Sequence, residues 1–349
     1  MKKFFSIAFM AFFVLTVQAQ GMTLENQEEE DSTISVIGLF CKNDTLAYQR
    51  VQGKEKIIGN DTTVLNEVVE EFMIVVTDST SDGYKMELIP MSFKLQGKEQ
   101  GYEGRMASLL WKDLKNLRCR FTTDEWGTVQ HIENWREIRD VLKKSYVTVF
   151  DSLYSEIPAL DSIMPRKQTE SLLLLGCSTE DGIKEQYDEL EVLFGFHGKE
   201  LPIKPVESDD VSEEGFPIHT YVEAFYSQQE DEYDFDGDYV IQSRAETTYS
   251  ADDVKHLMHT TLGVIFSGEL GDSVNKYVAE ALKDSLEGMK VNELAKFCYF
   301  YNGWPKLMQS IKEVNVSNMF KRVEYDCIEW TSRHWGVFTI PEEETGKDI

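Results

Sequence analysis

Three aspartates at alternate positions, Asp234, Asp236 and Asp238, surround Gly237 in the stretch EDEYDFDGDY. Calcium takes about six to eight oxygen ligands, and alternate aspartates in a turn can supply three of them. The EF-hand register fails. Counted from Asp234, the sixth and twelfth positions hold Tyr239 and Ala245, where that loop needs glycine and a bidentate glutamate. The three aspartates are therefore candidate metal ligands for a calcium turn of another kind, with Asp231 or Glu232 helping. The competing reading is a solvated hairpin turn, because Asp and Gly serve turns for backbone reasons.

Other chemistries leave fainter marks. His256 and His259 stand three apart in DVKHLMHTT and share one face of a predicted helix. The residues between them, Leu257 and Met258, continue an apolar stripe, so no zincin pattern is formed and no spacing identifies a third zinc ligand. Cys177, in LGCSTEDG, precedes a predicted helix start that would favour a thiolate, but no histidine partner is specified and a packed or disulfide-bonded cysteine is the favoured alternative. A Gly-x-Ser-x-Gly elbow, a Ser-x-x-Lys pair and a glycine-rich phosphate loop are absent. With 62 acidic residues, paired carboxylates for glycoside or peptide hydrolysis are always available and discriminate nothing. Trp126 and Trp304 lie in predicted hairpin turns, where they either stack on sugar rings or cap the sheet core; the second reading is favoured. No catalytic residue is assigned.

The elements that must position these groups begin after a leader. MKKFFSIAFMAFFVLTVQAQG has a basic start at Lys2 and Lys3, an apolar run from Phe4 to Val17, and small residues at Val17 and Ala19. That is a secretory signal, residues 1–19, with cleavage before Gln20. No later run has the length of a transmembrane helix. The expected location is secreted or periplasmic. The formal charge is −27, or −29 once Lys2 and Lys3 are removed. Phosphate contacts need Lys and Arg, so nucleic acid is excluded as a partner. Cys41, Cys119, Cys177, Cys298 and Cys327 form no Cys-x-x-Cys pair. They allow at most two disulfides of unassigned pairing, or act as small buried apolar residues.

Residues 20–33 read as a disordered acidic lead-in. Strand patterns follow in ISVIGLFC and DTLAYQRVQG, and a hairpin spans VVEEFMIVVTDSTSDGYKMELIPMSFKL. In its second arm Tyr84, Met86, Leu88 and Pro90 alternate with Lys85, Glu87 and Ile89, the mark of an antiparallel sheet. Met106, Leu109, Leu110, Leu114 and Leu117 form a helical stripe. RCRFTTDEWGTVQHIENW reads as strand, turn, strand, and Asn134 with Glu137 predicts a capping box for a long helix that Pro158 stops. RKQTESLLLL predicts another helix. Ser178 with Asp181 opens a further one, and Ser250 with Asp253 opens a pair of late helices. Residues 204–215 are acidic and poor in apolar side chains, a loop or linker. The end reads as a three-stranded meander turning at Asn302-Gly303.

This order predicts an α+β fold: antiparallel sheets of hairpins with a C-terminal meander, and helices packed on one face. One elaborated domain over 34–340 is expected, the alternative being two domains, 34–203 and 216–340, joined by 204–215. The leader ending in VQAQ, the rhythm FTTDEWGTVQHIENW before a long helix, and FCYFYNGWPKLMQSI resemble uncharacterised secreted families of the Bacteroidota over about half the chain in pattern. The resemblance implies a β-rich periplasmic or surface protein and carries over no functional residue. The expected function is a non-enzymatic binding, carrier or envelope-structural protein whose partner is a small or apolar ligand or an envelope protein. The alternatives are a hydrolase using paired carboxylates and a calcium-stabilised interaction protein. If the leader reading is right, the exported chain begins at Gln20 on N-terminal sequencing; an exported chain retaining Met1 to Ala19 would rule it out.

Overall fold

The computed structural model describes residues 33–97, 102–158, 161, 165–211, 216–228, 235–255, 288–316 and 320–336. The leader 1–19, the lead-in up to residue 32, Asp234, His256, His259 and the late helices beyond Lys255 lie outside these residues. The strands are β1 (Thr33–Ser35), β2 (Thr45–Ile58), β3 (Asp61–Thr80), β4 (Gly83–Gln96), β5 (Cys119–Thr123), β6 (Val129–Ile132), β7 (Glu200–Pro202), β8 (Val206–Val211), β9 (Pro217–Tyr226), β10 (Tyr239–Ser250), β11 (Gly288–Tyr299), β12 (Pro305–Val316) and β13 (Phe320–His334). The helices are α1 (Tyr102–Leu114), α2 (Trp135–Glu156), α3 (Arg166–Gly176), α4 (Glu180–Lys184) and α5 (Asp188–Phe194).

The fold is α+β with antiparallel strands. Eleven of them form one sheet in the order β6-β5-β4-β3-β2-β13-β12-β11-β10-β9-β8, while β1 pairs with β7 alone. The first long strand, β2, lies beside the last, β13, so early and late hairpins share this sheet. Period-two patterning sets what each face holds. Leu46, Ile74 and Leu88 align across β2, β3 and β4, and Ile241, Phe297, Met308 and Ile328 align across β10 to β13. All seven are buried in one apolar cluster with Ile138, Leu142, Tyr146 and Phe150 of α2 and Leu190, Leu193 and Phe194 of α5. A smaller cluster of Val240, Cys298 and Leu307 occupies alternate positions on β10 to β12. None of the five cysteines is in a disulfide, and Cys119, Cys177 and Cys298 are buried as small apolar residues.

Three local expectations change. Asn134 stands at the N-cap of α2 but makes no cap bond. Its amide accepts from the Arg120 N–H and donates to the Arg118 carbonyl and Glu137, so a cross-chain tie replaces the capping box. The helix predicted from Ser178 is capped by Thr179 and divides into α4 and α5. Bonds to residue i−3 at Gln186 and Tyr187 tighten the chain there and let Asp188 open the second helix. Residues 204–215 include an edge strand, β8, rather than only a loop, with Ser208 hydrogen-bonded to Thr220 at 2.7 Å. Its acidic side chains discourage a further strand from pairing there. The late capping box does form: the Asp253 carboxylate accepts from the Ser250 N–H at 2.8 Å, and the Ser250 hydroxyl accepts from the Asp253 N–H at 3.2 Å.

The β11–β12 turn is tied to the first loop. Gly303 has φ +79°, and a Cβ there would lie 2.2 Å from the Ile37 carbonyl oxygen, so only glycine fits. Trp304 is fully buried and donates its indole N–H to Asp44, which also accepts from the Gly336 amide. His197 completes this corner, with Nε2 2.8 Å from the Gly303 oxygen and Nδ1 3.3 Å from the Phe194 oxygen. Burial lowers its pKa from 6.5 to about 4, against the pull of those two carbonyls. The unfolded chain takes up a proton below pH 6.5 while the native ring stays neutral until about 4, so stability is lost as pH falls through that window. The loss amounts to roughly 3 kcal/mol. Denaturant unfolding at pH 7 and pH 4 should show the parent losing about that much more than a His197→Gln variant; equal losses would refute the assignment.

Candidate functional site: a charged cleft against the sheet

Six neighbouring strands, β4 to β11 in sheet order, line one cavity of about 430 Å³ together with α1, α2, α5 and the α4–α5 turn. The register shows how its floor is graded. One row reads Trp330, Tyr48, Phe72 and Pro90, all apolar or aromatic, of which Phe72 and Pro90 line the cavity. The next reads Ile328, Arg50, Glu70 and Phe93. Then come Ser310, Asp326, Gln52 and Val68, and beyond them Glu293, Lys312, Glu324 and Lys54 in alternating charge. In the last row Lys312 pairs with Glu293, and Lys54 lies 3.6 Å from Glu324. The floor thus runs from a dry end to a charged end.

Arg50 sits where the two meet. Its side chain is 3% exposed. Nε and Nη2 donate to Asp326 at 3.0 and 2.6 Å, and Nη1 and Nη2 donate to Asp188 at 3.0 and 3.2 Å. Glu189 lies 3.6 Å away, and Gln52 donates to Asp326 at 2.8 Å. Burial alone would lower the guanidinium pKa. Asp188 and Asp326 outweigh it and hold the group well above its ordinary value. Asp188 and Asp326 spend both oxygens on this cation, which fixes them as its supports. The opposite wall is apolar: Leu110, Trp111 and Leu114 of α1, and Leu142 and Tyr146 of α2. Trp111 stacks on Phe93 at 5.6 Å between centroids. Burial, with a smaller contribution from Cys177, pushes Tyr146 up to about 12, so it is a neutral phenol.

Of the residues singled out in the sequence, those that are described lie elsewhere, and Asp234, His256 and His259 fall outside the described residues. Asp236 is exposed, and Gly237 turns with φ +83°. Asp238 is buried 2.8 Å from the Lys306 ammonium, itself 1% exposed, and its oxygens also accept from the Phe235 and Tyr301 amides at 3.2 Å each. Lys306 lies 3.6 Å from the centre of the Phe235 ring. Among the described residues no group of three His, Cys, Asp or Glu is arranged to hold a metal ion. Cys177 caps the C-terminus of α3, and burial raises its thiol pKa despite Lys143, so it is a packed thiol and not an activated one. Trp126 is half-exposed. Sequence reasoning missed Arg50, Asp188, Asp326 and Trp111 as a group. One signal was available: Arg50 continues the inward parity of Leu46 and Tyr48, and Asp326 that of Ile328, so charge falls where the pattern wants apolar residues.

No family model matches the chain, and no curated protein does. A solved structure described as lipid–protein interactions in lipovitellin aligns with 86% of this chain and 26% of its own, at 9% identity and a TM-score of 0.33. The match spans about a quarter of that chain. A likeness of that degree carries no functional argument.

The Asp238–Lys306 pair yields a direct expectation. Lys306→Met leaves a buried carboxylate without its cation and should cost about 3–5 kcal/mol in denaturant unfolding, with the double variant D238N/K306M recovering part of the loss. A single-variant loss below about 1 kcal/mol would place the pair in water.

Proposed function

We propose that this chain is an exported, non-catalytic binding or carrier protein that holds a small apolar or amphipathic ligand in the cleft between the sheet and helices stacked on one of its faces. The cavity carries the reading. Its volume, about 430 Å³, lies within the range of small-molecule sites, and it joins an aromatic wall to a few fixed polar groups. The Arg50 network supports binding over hydrolysis, because the best-placed carboxylate pair is committed to a guanidinium instead of to proton transfer. Among the described residues no helix is long and apolar enough to cross a membrane. Location in the periplasm or outside the cell rests on the leader.

Titration with N-phenyl-1-naphthylamine, a neutral apolar dye that brightens in dry sites, tests the reading. The protein should bind it with enhanced fluorescence. Ala107→Trp, which places a large ring in the cleft wall, should weaken binding at least about tenfold while leaving the circular dichroism spectrum unchanged. A dye that fails to bind, or that binds both proteins alike, would overturn the proposal.

A further inference from the structure

The cleft is unequal in charge. Seven carboxylates and three cations line it. At its centre three carboxylates, from Asp188, Glu189 and Asp326, surround the single guanidinium of Arg50. Glu70 lines the cleft directly across the β2–β3 register from Arg50, next to Glu71, which accepts from Ser92 at 2.7 Å. An anionic head group entering here would meet excess negative charge, and Arg50 already has both edges of its guanidinium occupied. The whole chain adds to the effect. At −27 it repels anions and attracts cations at a distance. The apolar wall agrees with the floor, since the faces of stacked aromatics such as Trp111 and Phe93 carry a negative quadrupole that favours cations.

We infer that the cleft selects cationic amphiphiles: molecules whose apolar part lies along Trp111, Leu110 and Leu114 and whose ammonium or guanidinium group is taken up on the side of Glu70, at the carboxylate-rich edge of the Arg50 network. The inference rests on the cleft being a ligand site. It adds the ligand's charge, which that reading leaves open. Selection follows from desolvation as well as attraction. A cation moving into the cleft enters a field of net negative charge that offsets part of its lost hydration, while a carboxylate moving in loses water, is repelled by that field and gains no free donor from Arg50.

Competition for the bound naphthylamine dye by decylamine, decanol and decanoate at pH 7 separates the possibilities, because the three share one chain and differ in head-group charge. Decylamine should displace the dye at concentrations about tenfold or more below decanol, and decanoate should be the weakest. Glu70→Gln should remove most of the decylamine advantage and leave decanol unchanged, with the thermal melt confirming that the variant is folded. Equal displacement by all three, or preference for decanoate, would overturn the charge inference while leaving the cleft as an apolar site. Displacement by none of them would remove the ligand-site reading itself.

Discussion

The pairing of β2 with β13 is the contact on which the rest of the molecule depends. It joins Thr45 to His334 at one end and Ile57 to Lys321 at the other, across nearly the full described chain. Without it the early hairpin β3–β4 and the late meander β11–β13 would be separate ribbons, each with an apolar face and no partner for its edge. With it they form one sheet of eleven strands. Contacts this distant in sequence are the slowest to form, since a long loop must close before any pairing is gained.

Arg50 lies on that seam. Its bidentate partner Asp326 is on the adjacent strand, and its other partner, Asp188, comes from α5. One buried cation thus ties both halves of the sheet to α5. Such an ion pair is a poor source of net stability, because removing the charges from water costs most of what their attraction returns. What it supplies is placement. It ties α5 to the floor of the cleft and keeps three carboxylates together where the apolar rows give way to charged ones. The Asp238–Lys306 pair acts similarly at the other corner, where the β10 start meets the β11–β12 turn.

The inward positions of the sheet change in character along the strands. At the dry end the rows around Leu46, Tyr48 and Ile74 close against α2 and α5 with Phe194 and Phe150. Further along, the inward positions turn to Gln52, Lys54 and Glu324, which cannot be buried dry without partners. These positions line the cleft.

Period two determined the strands: the alternation of Met86 and Leu88 with Lys85 and Glu87 is enough to specify an antiparallel arm, and Asn302-Gly303 marks the β11–β12 hairpin. Glycine and aspartate marked the turns, and Ser250 with Asp253 marked a helix start, because these are local matters of φ, ψ and short hydrogen bonds. The cleft was not legible in that way. Arg50, Asp188 and Asp326 are separated by over a hundred residues, and each looks alone like a solvated surface charge. Only the strand order decides that they meet, and only burial decides that Asp238, read in the sequence as an oxygen ligand in a turn, lies against Lys306. Sequence fixes side-chain parity through the geometry of the strand; which parities face one another depends on pairings the chain makes at long range.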